Sequence, residues 1–161
     1  MTQEKRAARY SQHLCLVVIS GQKGIGRRRL ARALESHLFH NDNFVFYLGM
    51  GSVVYGVDAD IHGRSGSKVR REHIRRMAEI ANILITTGII LIITAVEITA
   101  ADLTLFQTIL DPTRIVTIWV GTNTSMDSSY EINLVESASI EESVPPIVQK
   151  LQDGGFIVEN S

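Results

Sequence analysis

Fourteen consecutive residues, Leu16-Val-Val-Ile-Ser-Gly-Gln-Lys-Gly-Ile-Gly-Arg-Arg-Arg29, leave this chain few architectures to choose from. A β-branched apolar run enters a turn with glycines at 21, 24 and 26, and Leu30-Ala-Arg-Ala-Leu34 leaves it with apolar residues at helical spacing. The pattern predicts a buried strand over about 13–20, a loop, and a helix over about 26–39. Glycines in such a junction let consecutive backbone N–H groups converge on an anion at a helix N-terminus.

The spacing Gly21-x-x-x-x-Gly26 matches a phosphate-binding loop. The next two residues depart from it. A working loop continues with Lys, which reaches the outer phosphates, and then Ser or Thr, whose hydroxyl holds magnesium. Here they are Arg27 and Arg28. Arg keeps the charge but is longer, planar and not interchangeable with Lys. Arg28 offers no oxygen to a metal. Gly21, Gly24, Gly26, Arg27 and Arg28 are therefore candidates for holding a nucleotide or other anion, without a well-formed magnesium site.

The rest of the chain repeats the alternation. Phe44–Leu48, Ile89–Val96, Arg114–Val120 and Tyr130–Val135 read as further strands. Helices are expected over about 68–87, 99–110 and up to about 152. Ser139-x-x-Glu142 has the form of a capping box, whereas Pro145 and Pro146 suggest a start a few residues later. Gly49 to Gly56 is glycine-rich, and 57–67 reads as a loop. The expectation is an α/β fold: a P-loop NTPase-like parallel sheet of about five strands with helices on both faces. Residues 1–10 read as a linker or N-terminal extension and 11–161 as the domain.

Composition narrows the function classes. At 161 residues with a net charge of −1, bulk charge gives no reason to expect a nucleic-acid partner. The basic cluster Arg70, Arg71, Arg75 and Arg76 is interleaved with Glu72 and Glu79, placed to pair at i,i+4 with Arg76 and Arg75. The one cysteine, Cys15, excludes an internal disulfide and falls in the first apolar run, where a buried inert thiol is expected. The polar N-terminus lacks a signal sequence. Ile80–Val96 is charge-free, but Gly88 divides it into a helix end and a central strand, so no membrane span is expected. Together these point to a cytoplasmic protein. His37 and His40, at a helix end, suit its last carbonyls better than a metal. Trp119 is expected in the core.

The loop, Arg70-Arg-Glu-His-Ile-Arg-Arg76, Ala78-Glu-Ile-Ala-Asn-Ile-Leu84 and Gly88-Ile-Ile90 together resemble adenylylsulfate (APS) kinase, with its D-R-x-E-N-I-R-R, G-E-V-A-K-L and A-G-L-I segments. Glu4-Lys-Arg-Ala-Ala-Arg-Tyr10 is similar to the segment leading into this kinase where it is fused behind the GTPase-like subunit of sulfate adenylyltransferase. The resemblance implies transfer of the ATP γ-phosphoryl group to the 3′-hydroxyl of adenylylsulfate, giving PAPS for sulfate assimilation. It also implies a paired subunit.

Matched residue by residue, the family's working parts are replaced. Its L-D-G-D-N-V-R-H-G motif aligns with Leu48–Gly56, so the two acids become Gly49 and Gly51, the Asn Ser52, and the substrate-binding Arg Val54. Arg70 keeps a second substrate-binding Arg, but the preceding Asp is Val69 and the nearby Asn is His73. Arg70 and His73 are thus remnants of an adenylylsulfate site. Where the family has T-A-F-I-S-P-x-R, this chain has Thr94–Ala101, with Glu97 and no Arg. A carboxylate there repels an anion unless paired or protonated. The family's long basic lid is reduced to Gly121–Ser129. Asp58 and Asp60 are the acids nearby, expected to be solvated loop residues.

The expectation is a catalytically impaired APS-kinase-like domain of sulfate activation. It would act as a regulatory, nucleotide-sensing or assembly module of a sulfate adenylyltransferase system, binding ATP, ADP or PAPS, and as a homodimer. The alternatives are a divergent active adenylylsulfate kinase and a purely structural dimerisation domain.

Overall fold

Strand β1, Cys15–Gly21, is buried along its whole length because apolar layers cover both its faces. The computed structural model describes residues 1–122, 130–135 and 138–158. In chain order the elements are α1 (Gln3–Tyr10), β1, α2 (Arg27–His40), β2 (Val45–Leu48), α3 (Met50–Ser52), α4 (Ser67–Ile85), β3 (Ile90–Val96), α5 (Ala100–Ile109), β4 (Ile115–Gly121), β5 (Ile132–Val135) and α6 (Ile140–Asp153). The five strands form one sheet in the order β2-β3-β1-β4-β5, every neighbouring pair parallel. This is the expected parallel α/β sheet with helices on both faces.

Alternation along β1 divides the core. Cys15, Val17 and Ile19 point to the layer formed by Leu30, Leu34 and Leu38 of α2 and Ile147 and Leu151 of α6. Leu16 and Val18 point to Met77, Ala78 and Ala81 of α4 and to Leu103 and Phe106 of α5. Each fully buried aliphatic side chain contributes about 1.5–3 kcal/mol, so burial on both faces outweighs the modest strand propensity of any one residue. Burial also pushes the Cys15 thiol well above its usual pKa, in keeping with an inert core residue. Trp119 is half-buried against the α4–α5 layer, its ring 5.4 Å from that of Tyr130.

Two local expectations differ from the structure. The last helix starts at Ser139, not after the prolines: Ser139 and Glu142 close a capping box, and Pro145 and Pro146 lie inside the helix. Satisfying the first N–H groups thus fixes the start despite two prolines in the next turn. Met50–Val57 is helical, ending in a π-helical turn that buries Val53. Residues 3–10, read from composition as a linker or extension, form a helix with Tyr10 against Phe44, ring centroids 4.9 Å apart. Ile80–Val96 is the end of α4 followed by β3, and no helix among the described residues is long and apolar enough to cross a membrane.

The C-terminal end of β1 is the tightest point of the sheet. A Cβ on Gly21 would lie 1.9 Å from the Val120 carbonyl oxygen of β4. Backbone cannot yield as a side-chain tip can. Gly21→Ala is expected to destabilise the domain by about 3 kcal/mol or to prevent folding. Gly24→Ala, with open space around it but φ of +80°, should cost about 1 kcal/mol; urea denaturation of both variants measures the difference.

Candidate anion-binding site

In a parallel sheet the crevice for ligands lies beyond the carboxyl ends of the strands. Here β1 ends in the glycine loop, with Gly24 and Gly26 at φ of +80° and +83°. The loop feeds directly into α2, whose N-cap is Gly26 and receives no side-chain hydrogen bond. No acidic residue lies in the first turn of α2, and Arg27, Arg28 and Arg29 occupy it. Cations there oppose the helix dipole by about 0.3–1 kcal/mol each. The helix start is electropositive twice over, from its own N–H groups and from its side chains.

A cleft of about 540 Å³ opens beside this loop, lined by Gly24, Gly26, Arg27 and Arg28 on one side and Arg70 and Ile74 of α4 on another. Tyr47, Met50 and Thr94 complete its walls, with the Tyr47 hydroxyl 2.9 Å from Thr94 Oγ1. Five of the residues singled out from sequence therefore share one cavity. Gly21 lies beneath it, at the end of β1.

The two arginines that replace the loop Lys and Ser/Thr behave differently. Arg27 is half-buried and folds back on its own loop, Nη1 donating to the Gly21 carbonyl and, at 2.7 Å, to the Gln22 carbonyl. Burial pulls the Arg27 pKa down, while the nearby Glu97 carboxylate and Tyr47 act in the opposite direction. Arg28 is exposed, and no ion pair engages it among the described residues. The Gln22 side chain is committed to structure as well, accepting from Thr122 N at 3.1 Å and Thr122 Oγ1 at 3.2 Å.

Arg70 spans from α4 to the end of β3. Its Nη2 donates to Asp102 Oδ2 at 2.8 Å and to the Glu97 carbonyl at 3.0 Å, with half its side chain exposed at the cleft. Burial raises the Asp102 pKa, but bonds from the Thr99 backbone and from Arg70 outweigh it and hold the carboxyl below the usual range. Glu97 has φ of +44°, uncommon for a residue with a Cβ, and its N–H donates to the Gly21 carbonyl at 3.0 Å. Its backbone thus links the partner of Arg27 to the partner of Arg70.

His73 does not line the cleft. Its Nδ1 pairs with Asp58, and Asp58 is fully buried, correcting the expectation of a solvated loop acid. The reason is the helical course of 50–57, which carries Asp58 under α4. Asp58 Oδ1 has no hydrogen-bond partner and lies 3.6 Å from Arg76 Nη1. Asp60 is exposed and bound by Arg76, whose Nη2 is 2.9 Å from Oδ2. Arg76 also holds Glu72, as the i,i+4 pattern predicts, and bonds from Arg75 and Arg76 pull the Glu72 carboxyl down to about 2.

The donor set does not fit magnesium. Position 28 carries a guanidinium, and 49 and 51 carry no side chain. The carboxylates of Asp58, Asp60 and Asp102 are engaged by His73, Arg76 and Arg70. Of Gly121–Ser129, where a reduced lid is expected, residues 123–129 lie outside the described residues. Sequence reasoning missed Tyr47, Gln22 and Asp102. Only Asp102 carried a signal, since Thr99-x-x-Asp102 has the spacing of the capping box that the structure shows.

A parallel sheet with a glycine loop closing β1 onto α2 defines the P-loop fold. The profile of the adenylylsulphate kinase family matches residues 13–132, and this chain belongs to that family. It is 30% identical over 119 residues to the adenylyl-sulfate kinase of Pseudomonas aeruginosa, covering 74% of this chain and 60% of that protein. To the enzyme of Shewanella amazonensis it is 28% identical over 122 residues, covering 76% and 61%. The chain thus spans about 60% of the length of these curated relatives. Among solved structures, the hexameric APS kinase from Thiobacillus denitrificans superposes with a TM-score of 0.75 at 23% identity, over 91% of this chain and 30% of that one. The Mycobacterium tuberculosis APS kinase CysC in complex with AMPPNP and APS gives 0.72 at 20% identity, over 88% and 99%. At these identities the structural likeness establishes the fold.

The buried pair gives a direct test of what holds the 50–62 segment to α4. His73→Ala leaves the buried Asp58 carboxylate without its hydrogen-bond partner and is expected to cost about 1–3 kcal/mol, whereas adding Asp58→Asn should recover part of that loss. Urea denaturation of the single and double variants reads both.

Proposed function

We propose that this chain is a member of the adenylylsulphate kinase family that binds a nucleotide or related anion of sulfate activation without transferring phosphate. The observation that carries the reading is Arg27. In a working loop the cation at this position reaches toward the phosphates, whereas here the guanidinium is spent on the carbonyls of Gly21 and Gln22. Phosphoryl transfer depends on positioning and on neutralising charge around the transferred group. Arg28, Gly49, Gly51 and Glu97 stand where metal, acid or substrate-binding groups are needed. Removing one such stabilising group commonly costs about 10² or more in rate.

What remains supports binding. The cleft is open, Arg28 and Arg70 line it, and the start of α2 is uncapped. Residues 11–161 would form the sensing domain, with 1–10 as an extension seated on it. The relatives are named as kinases and one solved relative as a hexamer. The hexamer supports a module that pairs with further copies of itself, and assembly beside a sulfate adenylyltransferase rests only on the likeness of residues 4–10 to the segment leading into the fused kinase.

Incubation with MgATP and adenylylsulfate is expected to yield no PAPS above the uncatalysed background, while calorimetry detects binding of ADP, ATP or PAPS. The double variant Arg27→Lys with Arg28→Ser restores the loop pattern but not the acids at 49 and 51, so it should gain no turnover. PAPS formation by the unaltered protein, lost on changing Arg27 or Arg70, would establish a divergent kinase instead. A stable oligomer indifferent to every nucleotide would leave only a structural role.

A further inference from the structure

The three arginines that open α2 divide around the loop. Arg27 turns inward to the Gly21 and Gln22 carbonyls, Arg28 lines the large cleft, and Arg29 lines a second groove of about 290 Å³ on the other flank. The two cavities share Ile25 and Gly26. The second groove is walled by Leu30, Val120 and the start of α6. An anion seated on the loop would meet a cation below it and one on each side.

We infer that this site takes a phosphate-bearing ligand free of divalent metal, with Arg27, Arg28 and Arg29 supplying the charge that Lys and magnesium supply in a working loop. This inference rests on the proposed binding role and adds the form in which the ligand is recognised. Three features carry it. Arg27 is fixed by two backbone carbonyls, so its charge stays under the loop whether or not a ligand is present. A dication brought beside it would be repelled by a guanidinium that is half-removed from solvent, where screening is weak. Three acids of the neighbourhood are already engaged, Asp58 by His73, Asp60 by Arg76 and Asp102 by Arg70, and Glu97 acts on the Arg27 guanidinium, so magnesium meets no cluster of acids among the described residues.

Glu97 is the one carboxylate that faces this cation from the end of β3, and it raises the Arg27 pKa through space. It competes with an incoming anion for the same charge. Its left-handed backbone is tolerated far better by Asn than by Glu. Glu97→Asn therefore keeps the turn and removes the competitor.

Calorimetric titration with ADP and with inorganic tripolyphosphate, each in EDTA and in excess magnesium, tests the inference on the full chain. Binding is expected in EDTA, with magnesium leaving the affinity unchanged or weakening it several-fold. Arg28→Ala, at an exposed position, should weaken binding by about tenfold with no change in melting temperature, and Glu97→Asn should tighten it by about threefold. Binding seen only with magnesium, or unchanged in Arg28→Ala, overturns the inference and leaves the binding role standing. Absence of binding under both conditions overturns the two together.

Discussion

The Gly21 carbonyl is where the sheet becomes a site. It accepts from Glu97 N at the end of β3 and from the Arg27 guanidinium at the start of α2. On the other side of the same residue the Val120 carbonyl of β4 approaches so closely that no Cβ fits. One residue without a side chain therefore sets the spacing of three central strands and anchors the cation beneath the loop. Glu97 passes the connection on, because its own carbonyl accepts from Arg70. Arg27 is held by carbonyls at the end of β1 and Arg70 by the carbonyl of Glu97 at the end of β3, and the Glu97 N–H ties the two strand ends together through Gly21.

Charge in this molecule is sorted, although its sum is near zero. Three of the four arginines of α4 are internally satisfied: Arg75 and Arg76 hold Glu72, Arg76 holds Asp60, and Arg70 holds Asp102. Those of α2 are not, and Arg28, Arg29 and Arg32 enter no ion pair among the described residues. Exposed pairs contribute little to stability. Their effect is to neutralise most of the charge on α4, so that the unpaired arginines at the start of α2 dominate the charge beside the loop.

The sheet and its helices were legible because the strands are apolar on both faces and the helices on one, and these periods differ. The loop was legible because glycine spacing carries its conformation. Less visible were features set by long-range packing. Nothing local to Asp58 marks it as buried; its burial follows from the helical course of 50–57, in a stretch whose glycines suggested irregular backbone. His73 could be matched to a family position, but its direction depends on that same carboxylate. Arg27 could be recognised as a substitution, while its inward turn requires the Gln22 and Gly21 carbonyls to face it. Side-chain direction at a site is a property of the neighbours, and a single sequence lists residues without their neighbours.

The replacements at 27, 28, 49 and 51 read from sequence as separate losses, and the geometry makes them one change. A carboxylate in a phosphate site is useful when a metal bridges it to the ligand; without the metal it is a like charge that repels the ligand. Once Arg27 is turned under the loop and Arg28 removes the hydroxyl ligand, acids at 49 and 51 would oppose whatever anion the arginines attract. Glycine at both positions removes that opposition. Asp58, Asp60 and Asp102 are each engaged by a side chain of α4, which preserves the wall of the cleft. Glu97 enters no ion pair among the described residues and lies close enough to Arg27 to shift its pKa. In the proposed binding role it would compete with an incoming anion for the Arg27 charge.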